Sequence, residues 1–164
     1  MAERQIDEVD QIVSAWRAQL SGLDAEPMQV WSRISRLNQL LATARAKIFS
    51  ANELAMWEFD VLAALRRAGR PYSLTAGQLV EATHVTSGTM TNRITRLAER
   101  GLIVRSKGAD RRSVIVALTE LGRQRADSAI SALTELEGEL LGCLDESERQ
   151  TLVSLLRRLL IAQS

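Results

Sequence analysis

Residues 75–118 constrain the fold more than any other part of the chain, because three periodic signals follow one another there with no room for a spacer. A short apolar-periodic stretch from Thr75 to Thr83 leads through a tight connection at His84 and Val85 into a second amphipathic stretch, Ser87 to Arg100. Met90, Ile94 and Leu97 fall in one narrow stripe of that second stretch at about 100° per residue, and Gly101 is suited to stop a helix. Two β-branched runs come next, Leu102-Ile103-Val104-Arg105 and Ser113-Val114-Ile115-Val116-Ala117-Leu118, flanking the polar loop from Ser106 to Arg112. They read as a hairpin.

Helical periodicity fills the remainder. Ile6, Val9, Ile12, Val13, Trp16 and Leu20 predict an amphipathic helix over residues 3–20, ended by Ser21-Gly22. Val30, Ile34, Leu37, Leu40, Leu41 and Ile48 mark a second helix from about Pro27, a residue suited to a first turn. Asn52 is expected to cap a third helix, with Leu54, Trp57, Val61 and Leu65 on its buried face and Gly69-Arg70-Pro71 closing it. After the hairpin, helices are expected from Glu120 to about Leu144 and from Glu146 to Ala162. A chain of 164 residues fits one compact domain, here mainly α with a small β-hairpin.

The formal net charge is only +1, from 21 Lys and Arg against 20 Asp and Glu, and on its own it points to no nucleic acid. The distribution reverses that reading. Residues 87–112 carry 7 basic and 2 acidic side chains, whereas residues 113–164 carry 5 and 8. A local excess of this kind suits a surface that meets phosphates. One cysteine, Cys143, permits no intramolecular disulfide, and one histidine, His84, leaves no multi-histidine metal site, so neither a metal nor a cofactor is expected. An enzyme is not expected either: no nucleophile motif, Gly-rich phosphate loop or set of paired metal ligands stands out. No apolar run approaches the roughly 20 residues of a membrane span. The acidic, amphipathic start MAERQIDEVDQIV is unlike a signal peptide, which makes the expected location cytoplasmic, with no membrane partner.

Opposite the apolar stripe of the Ser87 to Arg100 helix lie Gly88, Asn92, Thr95, Arg96 and Glu99. A helix so divided can bury one side and lay the other, with short polar side chains and Arg96, into a major groove. Thr86, Ser87 and Thr89 at its N-terminus are placed to meet phosphates, where the helix dipole favours negative charge. By itself the same helix also fits a solvated surface. The loop Gly108-Ala109-Asp110-Arg111-Arg112 adds two arginines at the tip of the ribbon, Arg111 and Arg112, whose guanidinium groups suit a narrow minor groove. Asp110, two residues from Arg112, can hold that arginine in one rotamer. An ordinary charged hairpin loop is the alternative, and the order of the elements argues against it.

The stretch LVEATHVTSGTMTNRITRLAERGLIVRSKGADRRSVIVALTELG resembles the MarR family of transcriptional regulators, and the likeness extends over about residues 30–162. Its most specific parts are residues 86–101, Asp110-Arg111-Arg112, and the Leu118-Thr119-Glu120-Leu121-Gly122 that opens the next helix. The resemblance implies a single domain over residues 1–164 with a winged helix-turn-helix lobe at 51–118. It also implies dimerisation through the terminal helices, 1–50 and 119–164, and binding of a homodimer to a pseudo-palindromic double-stranded DNA operator. Two-fold symmetry is the physical reason, since each lobe then reads one half-site.

The third helix carries a further signal. Asp60 and Arg67 lie about 20° apart on the wheel and roughly 10 Å apart along the axis, with only Ala63 and Ala64 between them on that side. That spacing leaves room for a flat polar molecule; it also fits two ordinary boundary salt bridges. Arg93 sits about 60° from the apolar stripe of its helix, on the flank that can face the third helix. Trp16 offers an aromatic plane and an indole donor on the N-terminal helix, or simply an anchor for it.

Together Trp16, Asp60, Arg67 and Arg93, in the contexts WEFDVLAALRR and TSGTMTNRITRL, resemble the urate-responsive (PecS-type) subgroup of the MarR family, which has an extra N-terminal helix. The resemblance implies a small anionic effector, urate or a related oxidised purine, that frees the protein from DNA. Arg67 would then face the anion, and Arg93 would report occupancy to the DNA-reading surface. A MarR-type regulator of another aromatic or phenolic effector, with these four residues structural, is the alternative. Cys143 is expected in a dimerisation helix as a buried, inert thiol.

Overall fold

The computed structural model describes residues 6–108 and 113–163. Among these residues it contains seven α-helices and three strands, and it divides into two compact units, residues 1–45 and 46–164.

The first unit holds α1 (Glu8–Gln19) and most of α2 (Glu26–Ala51). Helix α1 starts at Glu8 because Asp7 caps it: the Asp7 carboxylate accepts from the backbone N–H of Val9 and Asp10 at 2.8 and 3.0 Å, and Asp10 returns the bond to the Asp7 N–H. Its apolar contact is small, formed by Val9, Val13 and Ala25 with Met28 packed against them. Ion pairs supplement it, from Arg33 to Asp7 at 2.7 Å and to Asp10 at 3.0 Å, and from Arg36 to Glu8 at 2.8 Å.

The second unit is built around α3 (Met56–Arg67), which buries seven of its residues, among them Val61, Leu62 and Leu65 at no measurable exposure. The N-cap is Ala55 and not Asn52. The Asn52 amide instead donates to the Ile48 carbonyl at 2.9 Å and finishes α2, while the Glu58 carboxylate accepts the Ala55 N–H at 2.8 Å. The cap is therefore supplied from inside the helix, a device that a search for a capping residue ahead of the helix overlooks.

Strand β1 (Ser73–Thr75) leads into α4 (Ala76–Thr83), followed by α5 (Ser87–Glu99), β2 (Ile103–Lys107) and β3 (Val114–Leu118). The expected hairpin is present, with Ile103 opposite Leu118 and Lys107 opposite Val114. A third strand joins it: β1 pairs antiparallel with β3, giving the order β1-β3-β2. Met90, Ile94 and Leu97 of α5 are buried as their spacing predicts, and they share one core with Leu79, Leu102, Ile103, Val116 and the buried face of α3.

Helix α6 (Glu120–Leu140) opens on Thr119, whose hydroxyl accepts the Gly122 N–H at 3.0 Å. It ends four residues before the expected Leu144. Cys143 consequently lies exposed in the turn before α7 (Glu146–Ile161), outside any helix, which corrects its expected burial. Helix α7 buries none of its residues within the chain and leaves Leu152, Leu155, Leu156, Leu159 and Leu160 open on its surface. No described helix is long and apolar enough to cross a membrane.

Candidate nucleic-acid interface and effector cleft

Helix α5 presents a divided face. Thr86 is its N-cap, with its hydroxyl oxygen accepting the Thr89 N–H at 3.3 Å and lying 2.9 Å from the Thr89 hydroxyl. Those two groups therefore set the start of the helix before they meet anything else. Along the exposed side, Ser87, Asn92 and Arg96 make no side-chain hydrogen bond or ion pair among the described residues, so their donors are available to a partner. Thr95 is half-buried and donates its hydroxyl to the Thr91 carbonyl at 3.1 Å, leaving only its lone pairs to offer to a base edge.

On β2, Arg105 and Lys107 are exposed and extend the positive surface toward the hairpin tip. The Gly108 N–H donates to the Ser113 carbonyl at 2.9 Å at the base of that loop. Asp110, Arg111 and Arg112 lie outside the described residues.

Two arginines one heptad apart fasten α5 to the first turn of α3. The Arg93 guanidinium lies over the Trp57 ring, 5.5 Å from its centroid. Arg100 pairs with Glu58 at 2.5 Å and donates to the Glu53 carbonyl at 2.6 Å. Glu58 is the one charged side chain among the buried described residues, at 4% exposure, and a buried carboxylate without Arg100 would be costly. Its place was legible in the sequence: residue 58 falls inside the Leu54, Val61, Leu65 stripe, where a charge demands a partner. Arg93 thus faces α3 as expected, but at Trp57.

Asp60, Arg67 and His84 line one cleft of about 240 Å³ between α3 and the end of α4, with Phe59, Ala63, Ala82 and Thr83 completing it. The structure therefore brings together the two α3 residues singled out by spacing and adds His84, which spacing did not show. Neighbouring arginines on α3 have different fates. Arg66 pairs with Asp127 of α6 at 2.6 Å and stacks over Tyr72 at 4.7 Å, whereas Arg67 makes no hydrogen bond or ion pair among the described residues. Asp127 also takes Arg123 at 2.8 Å, and Arg123 in turn holds the Glu120 carboxyl below its ordinary range by hydrogen bonding. Arg93 is not part of the cleft lining. Trp16 lies on α1 in the first unit, half-exposed at 45%.

Comparison with known proteins bears on this arrangement. Residues 52–113 match the sequence family described as the MarR family, and the chain is 38% identical over 152 residues to the transcriptional regulator PecS of Dickeya dadantii, covering 92% of each. The chain belongs to the MarR family. It is therefore a member of a class of DNA-binding transcription regulators and not an enzyme, and its likeness to PecS supports a PecS-type place within the MarR family. A mutant of MarR from E. coli, solved in complex with operator DNA, matches with a TM-score of 0.70 at 27% identity, covering 85% of this chain and 99% of that one. BpsR of Bordetella bronchiseptica, whose DNA binding is regulated by 6-hydroxynicotinic acid, matches with a TM-score of 0.68 at 29% identity, covering 84% and 98%. The winged helix-turn-helix of the MarR family is thus the arrangement of α4, α5 and the β2–β3 hairpin seen here.

Proposed function

We propose that this MarR-family chain is a repressor of the cytoplasm that binds a pseudo-palindromic operator as a homodimer and is released from it by urate or a closely related oxidised purine. The observation that carries the reading is the juxtaposition, within one lobe, of a polar face on α5, with Ser87, Asn92 and Arg96 unengaged, and a cleft whose walls are α3 and the turn leading into α5. Asn92, Thr95 and Arg96 read the major groove, Thr86, Ser87 and Thr89 meet the phosphates at the helix N-terminus, and Arg111 and Arg112, with Asp110 orienting the latter, enter the minor groove. The lobe over residues 51–118 reads DNA, while the terminal segments, 1–50 and 119–164, pair the two copies. Support for that pairing comes from the uncovered leucines of α7, a face that needs a partner to be buried.

Urate is a planar anion carrying both N–H donors and carbonyl acceptors around its rings. Arg67 suits the carbonyl edge with a fork of donors, and the Asp60 carboxylate suits an N–H edge. A carboxylate in the wall disfavours simple benzoates, which offer it no N–H donor to offset the repulsion between the two charges. The volume, about 240 Å³, lies below the roughly 300–1,000 Å³ of drug-sized sites and suits a small bicyclic molecule. Trp16 is carried by the family likeness alone. Regulation of BpsR by 6-hydroxynicotinic acid favours a second reading, in which the effector is a hydroxylated N-heteroaromatic acid.

The test is operator retention titrated with urate, 6-hydroxynicotinate and salicylate, together with the melting temperature of the free protein, which an effector selective for the native state must raise. Urate should release the wild-type chain, and Arg67→Ala should keep operator affinity while losing the response. A wild-type chain that holds its operator in saturating urate and yields to another of the three refutes the urate assignment.

A further inference from the structure

Resting on the effector reading above, we propose that His84 is a contact of the bound effector and the point at which binding acts on the recognition helix. Three observations converge on it. His84 lines the same cleft as Asp60 and Arg67. Its imidazole makes no hydrogen bond, ion pair or ring contact among the described residues, so its ring nitrogens are available to a ligand. And the residue is not on a wall remote from DNA: it is the C-cap of α4, at φ 53° and ψ 40°, two residues ahead of Thr86, the N-cap of α5.

The left-handed backbone restricts which residues suit this position. Few residues with a Cβ adopt it, His, Asn and Asp more often than most, so the turn holds this side chain in a restricted direction. The link between α4 and α5 is only His84, Val85 and Thr86; Val85 packs on the core and Thr86 is engaged as the cap. A ligand that draws on the His84 ring therefore acts on a three-residue connection directly ahead of the DNA-facing Ser87, Thr89 and Asn92. Arg93, by contrast, is already occupied by Trp57. The chemical class this third group selects is a planar heteroaromatic with a ring nitrogen or exocyclic oxygen on the edge away from Arg67, a requirement that urate meets and a monosubstituted benzoate does not.

The test uses His84→Asn and His84→Gly, both compatible with a left-handed turn. Urate binding to the full-length free protein is measured calorimetrically, and operator affinity is measured with and without saturating urate. Operator affinity without urate should stay within about threefold of wild type, which reports an intact fold and reading face. Urate affinity should fall about 10-fold, the loss expected of one hydrogen bond to a charged partner, and the ratio of operator affinities without and with urate should fall with it. A responsive wild type with both variants unchanged in binding and release overturns this inference alone. Weaker urate binding with an unchanged ratio overturns the coupling role. A wild-type chain that neither binds urate nor leaves its operator overturns the effector reading and this inference together.

Discussion

Gly122→Ala sets two ordinary effects against each other, and the structure decides between them. Alanine in place of glycine within a helix is worth about 1 kcal/mol in favour of the variant. At position 122, however, a Cβ would stand 1.9 Å from the Leu102 carbonyl oxygen and 2.9 Å from its carbonyl carbon, both backbone atoms that no rotamer change can remove. To reach ordinary contact the start of α6 must move away from residue 102 by more than an ångström. That movement works against the Thr119 N–H bond to the Leu102 carbonyl at 3.1 Å and the Thr119 hydroxyl bond to the Gly101 carbonyl at 2.7 Å. Overpacking costs about 1–3 kcal/mol, here at the upper end because backbone is struck, and one weakened hydrogen bond costs about 1 more. Net of the propensity gain, the variant should be about 3 kcal/mol less stable. For a chain of this size that lowers the melting temperature by roughly 6–12 °C, measured at fixed chain concentration. Gly77→Ala is the control, since its Cβ meets only the Thr75 hydroxyl oxygen at 3.9 Å; it should leave stability unchanged or raise it by up to about 1 kcal/mol. Equal or higher stability for Gly122→Ala would refute the close approach of α6 to residue 102, and with it the physical reason for a glycine in Leu118-Thr119-Glu120-Leu121-Gly122.

Two further outcomes are expected. Arg96→Ala should lose preference for operator over unrelated DNA by roughly 10-fold, whereas Arg112→Ala should weaken both alike and reduce the salt slope of binding by about 1; filter or anisotropy titrations at several salt concentrations separate the two, and equal effects would contradict the division of labour. In the first unit, hydrogen bonding from Arg33 holds the Asp7 carboxyl below its ordinary range. A depressed carboxyl contributes stability above the unfolded value and loses it as pH falls through the folded one, so amide protection of α1 should hold down to about pH 4 and decline below it. Asp7→Asn keeps a capping oxygen but not the charge, and should abolish that step; an identical pH profile in the variant would count against the ion pair.

What could be read from the sequence was what depends on local period and composition. The α5 stripe of Met90, Ile94 and Leu97, the stop at Gly101 and the basic hairpin all follow from residues within a few positions of one another. Strand β1 could not be read in that way. Ser73, Leu74 and Thr75 are too few for an alternation to register, and their partners, Ala117, Val116 and Ile115, lie some forty residues on. The cap of α3 failed for a related reason: Asn52 has the right chemistry for a cap, but Glu58 supplies the bond from within the helix. The cleft was half legible. Asp60 and Arg67 share a helix face, so the wheel finds them; His84 joins them only because α4 packs beside α3, and no local pattern encodes that packing.

The same geometry limits how the effector can act. Helix α5 is held on its flank by Arg93 against Trp57 and beyond its C-terminal end by Arg100 against buried Glu58, so a displacement begun at His84 falls chiefly on its N-terminal turn, which carries Ser87 and Thr89. Whether that is enough is a question of magnitude. Moving a two-state equilibrium from 99:1 to 1:99 needs a ligand that favours one state by about 10⁴-fold, and affinity common to both states contributes nothing. One contact worth about 10-fold at His84, counted once in each copy of the proposed homodimer, supplies about 100-fold. The remaining 100-fold must come from a tenfold difference per copy in how the two states present Asp60 and Arg67. A repressor that switches fully therefore requires the α3 residues themselves to change position with release, and substitution of His84 alone should reduce the response without eliminating effector binding.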